Sequence, residues 1–373
     1  MRLPIALSLC VLLGTTFVLH AQQPTAPSTP AAAPSPTAPT DSDAPPSATE
    51  KTPPAPVPAT KGAKAEKPKS PPAKEFFGAA KTASPLAARA IGFYAKGCLA
   101  GGKALPVDGP AWQAMRLSRN RNWGHPELVD LVKRLAVEAK AKDGWSGLLV
   151  GDLAQPRGGP MTSGHASHQV GLDADVWLTP MPDRTLTHRE REDMSATSML
   201  KSWDAVDPTI WTEKHAHLIK RAASYPEVER IFVHPAIKKA LCEGTPKDAD
   251  RAAWLSKVRP MYGHNYHFHI RIHCPKGSTN CEPQPPVGND DGCGQDLTKW
   301  LALVKPKPRP PAPPPGPTAP PPAGKPPISL DELPADCRNV LASGPDGQKL
   351  PDPVKPVAAK LQKSAGAAKS KAK

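Results

Sequence analysis

Aromatic side chains are absent between Gln22 and Glu75, acidic ones are absent from the last twenty residues, and no closely spaced CxxC pair occurs anywhere. The first absence removes the means of forming a core. A stretch of Pro, Ala, Thr, Ser and Lys cannot bury enough apolar surface to offset the entropy of ordering it. Residues 22–75 are therefore expected to be a disordered, partly extended linker. The last twenty residues hold six Lys, which predicts a solvated tail over 351–373. Without CxxC pairs a zinc-finger reading fails. Basic residues interleaved with aromatics are also lacking, which together with the export signal described next argues against nucleic acid as a partner.

Long apolar runs are confined to the start of the chain. Met1-Arg2 followed by Leu3 to Leu19 reads as a secretory signal, with Ala21 as the last residue before cleavage. As a retained anchor the run is marginal for a hydrocarbon layer of about 30 Å, so no stable membrane insertion is expected after processing of residues 1–21. Cys10 would suit a lipoprotein, but Leu9 before it is too large for the usual processing site. The mature chain should begin near Gln22, in the periplasm.

What remains is enough for one domain of ordinary size, expected over 76–304. Seven of the eight Trp lie between Trp112 and Trp254, whereas the 51 prolines are concentrated in the arms. Residues 305–327 hold thirteen prolines and should favour polyproline II, with a short return to domain-like sequence over 328–350. Within the domain, Leu128, Leu131, Val132, Leu135 and Val137 mark the apolar stripe of a helix from Pro126 to Ala141. Trp145–Val150 reads as a buried strand, Thr212–Ser224 as a helix, Val228–Val233 as a strand and Ala236–Cys242 as a short helix. Helices and strands without a regular βαβ rhythm indicate an α+β fold: a small antiparallel sheet flanked by helices.

Two stretches carry chemistry. In the first, Ser163 to Asp175, a helix would hold His168 and Asp175 on one face but roughly 10 Å apart. A shared metal needs both within about 2 Å of itself. A turn at Gly171 resolves this by bringing His168 back beside a strand starting near Leu172, in which Asp173, Asp175 and Trp177 point one way. In the second, His267, His269, Arg271 and His273 alternate with Phe268, Ile270 and Ile272, giving a strand with imidazoles on one face. A half-buried strand with a His-rich exposed face is the plainer reading of the second alone; the two together favour a metal site. A further H-x-H, at His215 and His217, falls on a helix, where residues two apart point to different faces and cannot share a metal. Ser163, Ser167 and Gln169 have no evident base partner, which argues against a serine nucleophile.

H-x6-D followed far downstream by H-x-H resembles the LAS group of zinc peptidases, and the local wording resembles the penicillin-insensitive murein endopeptidases. The matching text is Gly-His-Ala-Ser-His-Gln-Val-Gly-Leu-Asp-Ala-Asp at 164–175, Leu-Val-Gly-Asp at 149–152 and Ile-Phe-Val-His-Pro-Ala-Ile-Lys-Lys at 231–239. The His-rich strand, Cys-Pro at 274–275 and Asp-Gly-Cys-Gly at 291–294 complete it. The resemblance implies His168, Asp175 and His269 as ligands of one zinc per subunit, with His267 or His264 as base or oxyanion-stabilising partner. In some members the position of His165 binds a second zinc with an Asp and a His; Asp204 and Asp207 are the carboxylates available, but no His accompanies them. Asp173 would orient a ligand imidazole.

Zinc on two imidazoles and one carboxylate leaves a position for water, whose pKa falls towards neutrality, a centre suited to amide hydrolysis. The resemblance implies peptidoglycan as substrate, at the D-alanyl to meso-diaminopimelate cross-link, cut without a serine acyl-enzyme. The net charge of +14 suits an anionic wall polymer. A D,D-carboxypeptidase of the same fold and a non-catalytic wall-binding module are the alternatives, and the intact ligand motifs argue against the second. Omitting Cys10, six cysteines remain in an exported chain, which predicts disulfides, with fifteen possible pairings. The resemblance implies Cys98 with Cys337, Cys242 with Cys293, and Cys274 with Cys281.

Overall fold

The computed structural model of the protein describes residues 71–247, 250–308 and 326–353. The expected signal, nearly all of the first linker, most of the polyproline stretch and nearly all of the tail lie outside the described residues. A seven-stranded sheet organises the domain, in the order Val258–Pro260, Val228–Val233, His267–Ile272, Asp173–Trp177, Leu148–Val150, Trp112–Ala114, Asp108–Gly109. With helices on this sheet the class is α+β, but the sheet is wider than expected and mixed. Val228–Val233 runs parallel to Val258–Pro260, and Trp112–Ala114 runs parallel to Leu148–Val150. Parallel neighbours need a crossover connection, and the helices Pro235–Gly244 and Pro126–Lys142 lie in those two connections.

Both crossover helices start in the same way. His125 and His234 are N-caps whose Nδ1 accepts the backbone N–H of Glu127 and of Ala236, and Pro126 and Pro235 follow, where a missing N–H costs nothing. Leu128, Leu131, Val132 and Leu135 of the longer helix pack on Leu148, Val150, Ala174 and Val176 of the sheet. Val137, expected in that stripe, is instead exposed. Nine residues beyond Leu128 it lies about half a turn round the helix, on the solvent side. The strand expected over 145–150 is shorter, Leu148–Val150, because Gly147 takes a φ of 141°.

A second cluster lies to one side. The hairpin Arg89–Phe93 with Lys96–Ala100 packs Ile91, Cys98 and Ala100 against Phe77 of the helix Ala73–Ala79 and against Leu330, Leu333, Val340 and Leu341. That first helix begins within the last residues of the expected linker. Cys98 and Cys337 join the hairpin to the helix Asp336–Ala342, and the buried Arg157 donates through Nη1 to the carbonyls of Val340 and Leu341 at 2.6 and 2.8 Å. Cys242–Cys293 and Cys274–Cys281 are the other two bridges. In the helix Glu213–Ser224, His215 is buried and bonded to Thr212 and the Leu178 carbonyl, whereas His217 is exposed. The two point apart, as helical spacing requires.

Candidate metal centre

Strand register builds the site. The Asp173–Trp177 and His267–Ile272 strands are antiparallel, with His269 opposite Asp175, Arg271 opposite Asp173 and His267 opposite Trp177. Cross-strand partners point to the same side, so His267, His269, Asp173 and Asp175 share one face while Phe268, Ile270, Ala174 and Val176 pack into the core. That polar face is not open to solvent: every residue of both strands is buried. The loop 163–171 covers it.

The covering loop delivers His168 by a backbone conformation rare for a residue with a side chain. Its φ is +65°, and Gly164 and Gly171 on either side are at +78° and +72°. At Gly171 a Cβ would come within 2.6 Å of Leu99 Cδ2 and 3.0 Å of the His125 nitrogen, so the turn requires glycine there. The backbone N–H of His168 donates to Asp173 Oδ2 at 3.0 Å, which holds the loop against the strand.

Around Asp175 stand four imidazoles. Its Oδ1 lies 3.2 Å from His269 Nδ1, 3.5 Å from His168 Nε2 and 3.6 Å from His267 Nε2, and its Oδ2 lies 3.4 Å from His165 Nδ1. His165, His168 and Asp175 offer ligand atoms all within 4.8 Å of one another. His269 reaches the same carboxylate from the neighbouring strand. Both ring nitrogens of His168 and Oδ1 of Asp175 are buried without a hydrogen-bond partner. Buried polar atoms are almost always satisfied, so this set fits a bound cation of the kind that takes nitrogen and oxygen ligands. His264 stands beside it, its ring centroid 4.8 Å from that of His267, with Nδ1 2.8 Å from the Tyr262 carbonyl.

Electrostatics sort these groups. Burial would raise the carboxyls of Asp173 and Asp175, yet Arg271 and His269 hold the first, and His267, His168 and His165 the second, well below the usual carboxylate range. Burial lowers His168, which favours the neutral imidazole that a metal requires, although Asp175 pulls the other way. For His269 the pull of Asp173 and Asp175 outweighs burial and raises it.

Two partners were not foreseen. Asp152, at the end of the Leu148–Val150 strand, meets His165 Nε2 at 3.1 Å and is held by Arg121 at 2.8 Å and Arg119 at 3.0 Å. It, and neither Asp204 nor Asp207, is the carboxylate beside His165; those two bond to Ser202 and to Thr209. Arg271 packs its guanidinium 4.0 Å from the Tyr94 ring centroid and donates through Nε to Asp173 at 2.7 Å. Its place on the imidazole face was the available signal for it; for Asp152 the signal was the Leu-Val-Gly-Asp text at 149–152, which named no partner for it.

Fold and site thus define an α+β protein with a buried His/Asp cluster on one face of its sheet. Its residues 90–342 match the family model of the penicillin-insensitive murein endopeptidases, and the chain belongs to that family of peptidases. It is 44% identical over 232 residues to the penicillin-insensitive murein endopeptidase of Haemophilus influenzae, across 60% of this chain and 79% of that protein. Similarity to the proteins of that name from Klebsiella pneumoniae (40% over 224 residues; 60% and 80% covered) and Salmonella paratyphi B (40% over 234; 61% and 84%) is close behind.

Proposed function

We propose that the protein is a zinc-dependent murein endopeptidase of the periplasm that hydrolyses D-alanyl–meso-diaminopimelyl cross-links and is insensitive to penicillin. The observation that carries the reading is the buried convergence of His168, His269 and Asp175, with unpartnered donor atoms, in a chain of this family. Those three would hold zinc, which when bound supplies an activated water and polarises the scissile carbonyl.

The remaining work falls to the chain. Asp173 accepts from His269 Nε2 and so leaves Nδ1 turned to Asp175. His267, one strand step from His269 on the same face, is the general base: it takes a proton from the attacking water and returns it to the leaving amine nitrogen. His264 donates Nδ1–H to the Tyr262 carbonyl, leaving Nε2 as an acceptor. Burial and the neighbouring His267 and His269 hold it neutral, which supports a second role in proton handling. His165, tied to Asp152, stands where a second cation or the substrate would meet Asp175.

The test is incubation of the exported protein with purified cross-linked muropeptide dimers, products being weighed by mass spectrometry with chelator and with zinc restored. Conversion of dimers to intact monomers, lost with chelator, is the expected result. Release of one alanine from monomers would make it a D,D-carboxypeptidase, and turnover that persists in chelator would remove zinc from the account.

A further inference from the structure

A group of guanidiniums shares the face that bears the metal-site residues. The Val228–Val233 strand sets Phe232 opposite His269 and Arg230 opposite Arg271, and on its other edge Phe232 is in register with Arg259. Partners across strands point to one side, so Arg230, Arg259 and Arg271 lie on the side of His269 and Asp175. The register shifts between Val228 and Arg230, but from Arg230 to Phe232 the pairing is regular, so Arg230 keeps the side of Phe232 two residues on. Arg230 is thereby the diagonal neighbour of His269, about 7–8 Å away by strand geometry.

Two of the three guanidiniums are neutralised. Arg271 Nε donates to Asp173 at 2.7 Å and Arg259 Nη2 to Asp296 at 2.6 Å. Arg230 differs: among the described residues no carboxylate lies within ion-pair distance of it, its Nη2 donates to the Pro285 carbonyl, and its Nε is buried with no partner. The adjacent Glu229 is engaged by the Tyr94 hydroxyl at 2.6 Å. Burial, and then Arg259 and Arg271 against the pull of Glu229, weaken the hold of Arg230 on its proton. A partly buried cation with an unsatisfied donor beside two others is costly unless an anion joins it.

We propose that Arg230, with the partly exposed Arg259 beside it, forms a subsite for a substrate carboxylate next to the scissile bond. Its ligand class is the free carboxylate of a wall peptide, such as that of diaminopimelate. This rests on the murein reading above. A planar fork of N–H donors suits a carboxylate better than a point charge would, and a neutral amide in its place would leave the cluster uncompensated.

The experiment compares the full protein with Arg230→Gln and Arg230→Lys on dimers carrying free carboxylates and on dimers amidated there. In parallel, binding of the free tetrapeptide monomer is measured by calorimetry. On free-acid dimers Arg230→Gln should raise KM by roughly 10- to 100-fold with a smaller change in kcat, and the gap from wild type should narrow on amidated dimers. Arg230→Lys should recover part of the preference for the free acid. Equal KM values and equal tetrapeptide affinity in wild type and Arg230→Gln would overturn the subsite. If wild type cleaves no dimer, the murein reading fails, and the calorimetry still decides the subsite. If Arg230→Gln does not fold, a reduced free-acid preference in Arg230→Lys and Arg259→Gln upholds it and full retention in both overturns it.

Discussion

Asp173 Oδ1 lies 2.8 Å from Nε2 of His269, while its other oxygen accepts the backbone N–H of His168 at 3.0 Å. One buried carboxylate thus positions two segments that are distant in sequence. Arg271 keeps it ionised.

From this follows a prediction on metal affinity. Asp173→Asn should weaken zinc binding by about 10- to 100-fold, read by competition with a chromophoric chelator. Circular dichroism of the metal-free protein controls for folding. Unaltered affinity would mean that the carboxylate does not act through His269.

His269→Ala and His267→Ala should part company. The first should lose bound zinc, counted by elemental analysis of the purified protein, and with it activity. The second should keep zinc and lose about 10²- to 10⁴-fold in kcat, the usual share of a general base. His165→Ala, measured beside them, decides between His165 and His269 as partner of His168 and Asp175: zinc lost with His165→Ala but kept with His269→Ala would reverse the ligand assignment.

Stability should fall in mild acid through the helix caps. Burial lowers His234 to about 4, and its Nδ1 must stay unprotonated to accept the Ala236 N–H at 3.1 Å. The unfolded chain, with an ordinary His near 6.5, binds the proton first. The stability from this group is therefore complete above about 6.5 and is lost as pH falls from there through 4. His234→Asn, which keeps a capping oxygen, should flatten that part of the melting temperature against pH profile; an unchanged slope would exclude the cap as its source.

Gly171→Ala tests the turn that returns His168 to the strand. With φ at +72° and Leu99 and His125 in the path of a Cβ, it should cost at least about 2 kcal/mol in urea unfolding. A cost near zero would show that the loop can take another path.

Much of the site was legible because a strand has period two. His267 and His269 had to share a face, as had Asp173 and Asp175, and Gly171 had to turn the chain between His168 and Asp175. The same arithmetic on a helix separated His215 from His217. Partners joined across the sheet were less legible. Arg271 could be placed on a face but not against Asp173 or Tyr94, and Asp152 could not be matched to His165, because each pairing depends on register between distant segments. The sheet's width escaped for the same reason: two-residue and three-residue strands such as Asp108–Gly109 and Val258–Pro260 carry almost no periodicity of their own.

By itself, then, the amino-acid sequence determined what depends on local spacing: the α+β class, the two helices expected from Pro126 and from Ala236, and the imidazole and carboxylate faces. Tertiary structure alone decided which strands are neighbours, that the His-rich face is buried beneath the loop 163–171, and that pairing sets Arg230 and Arg259 on that same face. Those outcomes depend on how distant segments pack, and a hydrophobic core selects among registers only when all its strands are present together.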